Sequence, residues 1–303
     1  MKTAWLYAGQ GSQTPGMGRD FYDTYPEVRD IFDSPAAGFD IRTTCFEADA
    51  ETLSQTRYTQ PCMAAFALAV TRLLKNLGLA PDFAAGLSLG EYSALHAAGV
   101  FDVETVLSLL SFRGRAMERS ANGVNSRMSA VLGLSEELVR QGVQAALQHG
   151  IVSCTNINCP GQIVIGGEEY AVLQAEAKCL ELGAKRCMQL STSGPFHTPF
   201  MESASTELLE RFSSEVFAPQ QLPVVFNVTG ELSVDSEIPR LLCEQVKSPV
   251  LFEKTIRTLA KFGVTDIIEI GPGRALAGFV RKTAPEMHVV SIEKIEDLEK
   301  LDL

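Results

Sequence analysis

An α/β fold built on parallel strands is predicted from three features of the chain. A short apolar segment, Pro81-Asp82-Phe83-Ala84-Ala85, lies between an apolar helical stretch at 61–78 and a second helical stretch at 91–98. A strand with a helix on each side pairs with its neighbours in parallel. Apolar runs of strand length also open the chain (residues 3–8) and recur near its end (266–270), each followed by a glycine-rich turn. Between them the pattern changes to β-α-β-β-α-β over residues 128–190, the order of the split βαβ, ferredoxin-like unit. About 70 residues suffice for such a unit, so it reads as a small domain inserted into a larger one.

Taken in order, Thr3-Ala4-Trp5-Leu6-Tyr7-Ala8 is a buried strand leading into the loop Gly9-Gln10-Gly11-Ser12-Gln13-Thr14-Pro15-Gly16-Met17-Gly18. The loop lacks the Lys-Ser/Thr of a P-loop and the third glycine of a dinucleotide fingerprint. It reads equally as a surface turn or as a polar loop reaching an active site, with Gln10 offering a backbone N–H and an amide. Residues 19–34 are patterned as one amphipathic helix, and 35–60 as loop with short helical pieces. Pro61 suits the first position of an apolar helix that ends at Asn76-Leu77-Gly78.

The strand at 81–85 then meets Gly86-Leu87-Ser88-Leu89-Gly90, and Glu91–Ala98 has helix-forming composition. This is the context of a nucleophile elbow: flanking glycines permit a tight strand-to-helix turn that pushes the serine hydroxyl out of the sheet. The helix N-terminus directs N–H groups and a positive dipole end at an anion forming beside it. The competing reading is a structural serine in a glycine-rich turn. Val103–Arg119 is a further helix carrying Arg113 and Arg115. An arginine there is solvated unless the fold turns it toward Ser88, where a guanidinium holds a carboxylate in a bidentate clamp.

After the linker 120–125, the inserted unit runs as strand 128–134, helix 135–149 with a Ser-Glu-Glu start, strand 151–156, strand 162–166, helix 168–182 and strand 184–190. The boundaries assign 125–191 to the small domain, and 1–124 with 192–303 to the large one. Ser191-Thr192-Ser193-Gly194-Pro195-Phe196-His197 follows, then a helix at 201–212. His197 is one of four histidines and lies on a loop, whereas His96 falls in the helix after the elbow, His149 at a helix end and His288 near the C-terminus. If Ser88 is a nucleophile, His197 is the best available base. The chain closes with strand 223–228, helices at 239–246 and 252–261, strand 266–270, the turn Gly271-Pro272-Gly273 and a helix at 274–282. That turn sits at a strand's carboxyl end, where open α/β sheets gather ligands.

Composition narrows the function classes. A formal charge of −11 disfavours nucleic acid and anionic membranes as partners. The longest apolar stretch, Cys62–Val70, is far short of the ~20 residues that span a bilayer. The N-terminus lacks a signal-peptide layout, so a cytoplasmic protein is expected. Seven cysteines without a CxxC or Cys/His ligand spacing fit reduced buried thiols, with no metal or bound cofactor.

Several short motifs occur together and in order: Gly9-Gln10-Gly11-Ser12-Gln13, Gly86-Leu87-Ser88-Leu89-Gly90, Phe112-Arg113-Gly114, Asn156-x-Asn158-x-Pro160-Gly161-Gln162 and Gly194-Pro195-Phe196-His197. With Gln245-x-x-x-Pro249-Val250 and Glu269-x-Gly271-Pro272-Gly273, the set closely resembles the malonyl-CoA:acyl carrier protein transacylases of type II fatty acid synthesis, from about residue 3 to about residue 290. The resemblance implies an α/β-hydrolase-like large domain interrupted by a ferredoxin-like one. It implies Ser88 as nucleophile, His197 as base, the Gln245 carbonyl orienting the imidazole, and an oxyanion hole from the N–H groups of Gln10 and Leu89. Arg113 is implied to pair with the malonyl carboxylate, and Gln60, Met117, Asn158, Gln162 and Phe196 to bind substrate. Phe196 also resembles the form associated with malonyl rather than methylmalonyl selection. The implied partners are malonyl-CoA and holo-acyl carrier protein, used in a ping-pong cycle by a monomer. The acidic carrier needs a basic dock, for which Lys185 and Arg186, or Arg274, Arg281 and Lys282, are candidates beside the reading as solvated charges.

Two positions depart from the family pattern. Leu87 stands where many members have histidine, and Arg127 where many have a small residue; Arg127 is expected to be solvated rather than to alter the channel. Three rivals stay open: an acyltransferase loading a polyketide carrier, a serine hydrolase on the same elbow, and a non-catalytic carrier-binding module.

Overall fold

The computed structural model describes residues 2–301; Met1, Asp302 and Leu303 lie outside them. The strands, in chain order, are β1 (Thr3–Tyr7), β2 (Phe83–Gly86), β3 (Ser126–Leu132), β4 (Val152–Cys159), β5 (Gln162–Glu168), β6 (Arg186–Gln189), β7 (Val224–Phe226), β8 (Glu231–Leu232), β9 (Asp266–Ile270) and β10 (His288–Ile292). They form a six-stranded sheet in the order β10-β9-β1-β2-β7-β8 and a four-stranded sheet in the order β4-β5-β3-β6.

In the larger sheet every neighbouring pair is parallel except β7 with β8. Central β1 explains this arrangement: Ala4, Trp5, Leu6 and Tyr7 are all inaccessible to solvent, as a strand covered on both faces requires. The Thr56–Asn76 and Val103–Ala121 helices pack on each other over one face, in a core that includes Trp5, Tyr7, Phe66 and Leu110. The Phe252–Lys261 and Ala275–Thr283 helices cover the other face with Ala4, Leu6, Ile256 and Val280. The smaller sheet is antiparallel. Its helices Glu136–Ala146 and Glu169–Glu181 share a separate core of Val131, Val139, Ile165, Val172 and Cys179.

Several expectations need correction. Pro61 lies inside a helix that begins a turn earlier, at Thr56. A proline five residues past the start removes one main-chain bond, and the burial of Thr59, Gln60, Cys62 and Met63 around it offsets that loss. The helix expected over 19–34 breaks into Arg19–Thr24, a 3₁₀ turn Pro26–Val28 and Arg29–Phe32, because Tyr25, preceding the proline, is extended. The edge strands β8 and β10 were not expected; the half-buried β10 offers a weak apolar signal.

Arg127 is neither solvated nor in the channel. Its guanidinium forks onto Glu176 (Nε–Oε1 2.7 Å, Nη2–Oε2 3.3 Å) and donates to Gln189 Oε1 at 2.7 Å. The seven cysteines are free, and all but Cys187 are buried. No helix of the described residues is long and apolar enough to cross a membrane.

Candidate active site

β2 ends at Gly86 and the next helix, Gly90–Ala97, starts four residues later, so the chain reverses at Ser88. Ser88 has φ +54°, in the left-handed region that costs an L-residue about 1–2 kcal/mol. The flanking glycines are a steric requirement. A Cβ on Gly86 would lie 2.0 Å from the Gly90 carbonyl carbon, and one on Gly90 would lie 2.4 Å from the Tyr7 oxygen. Ser88 N–H donates to Asn227 Oδ1 at 2.7 Å, and Asn227 Nδ2 donates to the Gly86 oxygen at 2.6 Å.

The loop after β6 brings His197 to the same point, also at positive φ (+61°). Its main-chain N–H is held by the Val246 carbonyl at 3.0 Å. His197 Nε2 is 2.8 Å from Ser88 Oγ, and Nδ1 is 2.7 Å from the Gln245 main-chain oxygen. A carbonyl only accepts, so Nδ1 carries the proton and Nε2 is left to accept from the serine hydroxyl. Burial, and then the nearby Arg113 charge, lower the imidazole to about 4, against the opposing pull of the Gln245 and Ser248 main-chain groups. The ring is therefore neutral at pH 7 and free to take a proton.

Arg113 comes from the Val103–Ala121 helix and is 1% exposed. Its Nη2 donates to Ser88 Oγ at 3.0 Å and to Gln245 Oε1 at 2.9 Å, while Nε has no partner among the described residues. Burial pulls the guanidinium below its usual value. A buried cation with an unused donor, 3.0 Å from Ser88 Oγ, suits a ligand that carries its own carboxylate.

These groups open onto a cavity of about 580 Å³ that is also lined by Gln10, Gln60, Leu87, Met117, Asn158, Gln162 and Phe196. Gln60 Oε1 and Asn158 Oδ1 are buried without partners among the described residues, which leaves acceptors for a ligand. Gln10 Nε2 is anchored to Thr56 Oγ1 at 3.1 Å. The main-chain N–H groups of Gln10 and Leu89 have no acceptor among the described residues. Leu87, in the position of the family histidine, packs its side chain against the main chain at Gly9.

Lys185 and Arg186 are exposed and do not line the cavity. Lys282 donates to the cavity-lining Gln162 at 3.4 Å. Two residues of the site were not expected, Asn227 and Glu91. Glu91 is 1% exposed on the helix after the elbow, and burial pushes its carboxyl up to about 8. A lone acidic residue in the first turn of a mostly buried helix was the available signal; Asn227 carries none in its surroundings.

A turned serine, a neutral imidazole on its hydroxyl and unpaired main-chain donors form a site for acyl transfer, and the family model described as acyl transferase domain matches residues 4–299. The malonyl CoA-acyl carrier protein transacylase of Bacillus subtilis is 37% identical over 302 residues, covering 98% of this chain and 95% of its own. That of Haemophilus influenzae is 35% identical over 299 residues, 97% of this chain and 96% of its own. Among solved structures, the Streptococcus pneumoniae MCAT superposes with a TM-score of 0.95 at 43% identity, covering 99% of each chain. PlMCAT, a malonyl-transacylase in complex with its type II PKS acyl-carrier protein AntF, gives 0.96 at 33% identity, with 99% and 98% covered. The chain belongs to the malonyl CoA-acyl carrier protein transacylase family.

Proposed function

We propose that this protein transfers the malonyl group of malonyl-CoA to the phosphopantetheine thiol of acyl carrier protein through a malonyl-Ser88 intermediate, supplying fatty acid synthesis. The observation that carries the reading is Ser88 Oγ between His197 Nε2 at 2.8 Å and the buried Arg113 Nη2 at 3.0 Å. Ser88 Oγ attacks the thioester carbon as His197 Nε2 takes its proton. The C–S bond then breaks, and the departing thiolate takes the proton back from the imidazole. The carrier thiol repeats the two steps in reverse.

The Gln245 carbonyl, 2.7 Å from Nδ1, orients the imidazolium in place of a triad carboxylate. The free N–H groups of Gln10 and Leu89 serve the oxyanion. Arg113 takes the malonyl carboxylate, Gln60, Met117, Asn158 and Gln162 line the acyl and pantetheine path, and Phe196 crowds the α-carbon. Lys185, just before the edge strand β6, and Arg186 on it, with Lys282 beside the cavity-lining Gln162, are the proposed carrier dock.

The sheet orders support reading residues 1–124 and 192–303 as an α/β-hydrolase-like domain and 125–191 as a ferredoxin-like insert. We place the enzyme in the cytoplasm as a monomer that needs no cofactor and binds neither nucleic acid nor membrane. A second reading, in which the acceptor is a polyketide carrier, is favoured by the likeness to the transacylase solved with such a partner.

Intact-protein mass after brief exposure to malonyl-CoA tests the proposal. The expected result is a malonyl adduct that is absent from Ser88→Ala and disappears onto holo-carrier protein. An adduct that drains only to water supports a hydrolase instead, and no adduct with any acyl-CoA refutes the site. Comparing fatty acid and polyketide carriers as acceptors separates the two readings.

A further inference from the structure

We infer that Glu91 is a positioning residue for the transfer reaction: its buried carboxyl group holds Asn227 and Gln245, which between them fix both main-chain groups of the nucleophile and carry the carbonyl that aligns the base. The inference rests on the Ser88–His197 reading above.

Ser88 lies at φ +54°, a conformation that serine adopts only where its surroundings impose it. Two side chains supply much of that constraint. Asn227 Oδ1 accepts the Ser88 N–H at 2.7 Å, and Gln245 Nε2 donates to the Ser88 oxygen at 3.0 Å. Both meet at Glu91: Oε1 accepts the Asn227 main-chain N–H at 2.9 Å, and Oε2 accepts from Gln245 Nε2. Glu91 thus braces the elbow from within the helix that the elbow starts.

The same contact orients the Gln245 amide. With Nε2 directed at Glu91 and the Ser88 oxygen, Oε1 must face Arg113, where it accepts at 2.9 Å. The main-chain oxygen of that residue holds His197 Nδ1. One carboxyl group therefore ties together the nucleophile, the support of the base and the guanidinium without touching substrate. A surface acid near a helix N-terminus would stabilise only the helix dipole. Glu91, 1% exposed, instead directs both oxygens into the site.

Glu91→Gln tests this. Glutamine keeps the shape but offers one acceptor, and its amide nitrogen turns against the Gln245 or Asn227 donor. Acylation by malonyl-CoA is followed by rapid quench, with rates expressed per acylatable site so that unfolded protein does not count. The expected result is a fall of ~10²-fold in the maximal acylation rate, the scale of a misplaced reacting atom, with KM for malonyl-CoA changed by less than about threefold, since Arg113 and the cavity walls stay in place.

Glu91→Asp keeps both acceptors but withdraws them by one methylene, and decides the matter if Glu91→Gln does not fold. Asn227→Ala, combined with Glu91→Gln in a double variant, keeps the main-chain N–H that Glu91 accepts and removes the side-chain arm on the Ser88 N–H. The double variant should lose far less than the product of the single losses, as residues of one unit do. Rates per site within about threefold of the parent in the folded variants, whatever their stability, would overturn the inference. A parent that takes no malonyl adduct overturns the functional reading itself, a result independent of either variant.

Discussion

Replacing Arg113 by glutamine separates charge recognition from the rest of the chemistry. The guanidinium is 1% exposed and donates from one nitrogen to Ser88 Oγ and Gln245 Oε1, leaving Nε without a partner among the described residues. Removing one partner of a buried ion pair costs about 3–5 kcal/mol. At 1.36 kcal/mol per decade, kcat/KM for malonyl-CoA should fall by roughly 10²–10⁴. Acetyl-CoA has no carboxylate to strand and should be far less affected, so the malonyl/acetyl preference collapses. A second consequence follows from the base. Arg113 is one of the causes holding His197 at about 4; without that charge the imidazole is a stronger base, and the acid limb of acetyl transfer should move up in pH. Stopped-flow acylation with both thioesters over pH 4–8 measures both effects. Equal losses for malonyl and acetyl, with an unmoved acid limb, would refute the assignment of Arg113.

Further predictions concern the carrier, the turn and acid stability. Exchanging Lys185 and Arg186 for Glu should raise KM for carrier protein and leave Ser88 acylation unchanged; steady-state kinetics with varied carrier checks this, and an unaltered KM excludes the β6 edge. Gly86→Ala puts a Cβ 2.0 Å from main-chain carbon at Gly90, so it should destabilise the fold by about 3 kcal/mol or more, seen as a lower denaturant midpoint. His96, half-buried with Nδ1 2.9 Å from the Phe101 oxygen, has its imidazole lowered to about 4 mainly by burial. Its folded value lies below the unfolded one, so stability is lost as pH falls from about 6.5 to about 4. His96→Gln should reduce that acid loss by about 2 kcal/mol at pH 4.5, taking 1.36 kcal/mol per unit and a discount for partial exposure. Urea titrations at pH 4.5 and 7.5 give the difference, and an identical loss in variant and parent would exclude His96 as its source.

Much of the site was legible because its key turn is local. The need for glycine at 86 and 90 arises from atoms within a few residues and from β1 alongside, and the spacing Gly-x-Ser-x-Gly displays it. His197 stood out among four histidines by its place on a loop. Gln245 meets His197 through a main-chain oxygen, which any residue type possesses, so only the family likeness pointed to it. Asn227 lies just past β7, and no periodicity separates a bracing asparagine from one in a turn. Arg127 and Pro61 show the limit from the other side. The first found an acid, Glu176, on a helix 49 residues away; the second was drawn into a helix by burial that outweighed its missing donor.

By itself, then, the amino-acid order determined the α/β class, the β-α-β-β-α-β unit and the turn at Ser88, and it singled out Ser88 and His197 as candidates, all from sterics and hydrophobic periodicity acting over short stretches of chain. Tertiary structure decided what these residues can do. It set His197, 109 positions from Ser88, within 2.8 Å of its hydroxyl, and it sealed Arg113 from water. It also drove His197 down and Glu91 up from their ordinary values. Desolvation and Coulomb interaction depend on which distant elements enclose a group, and that is a property of the packed fold.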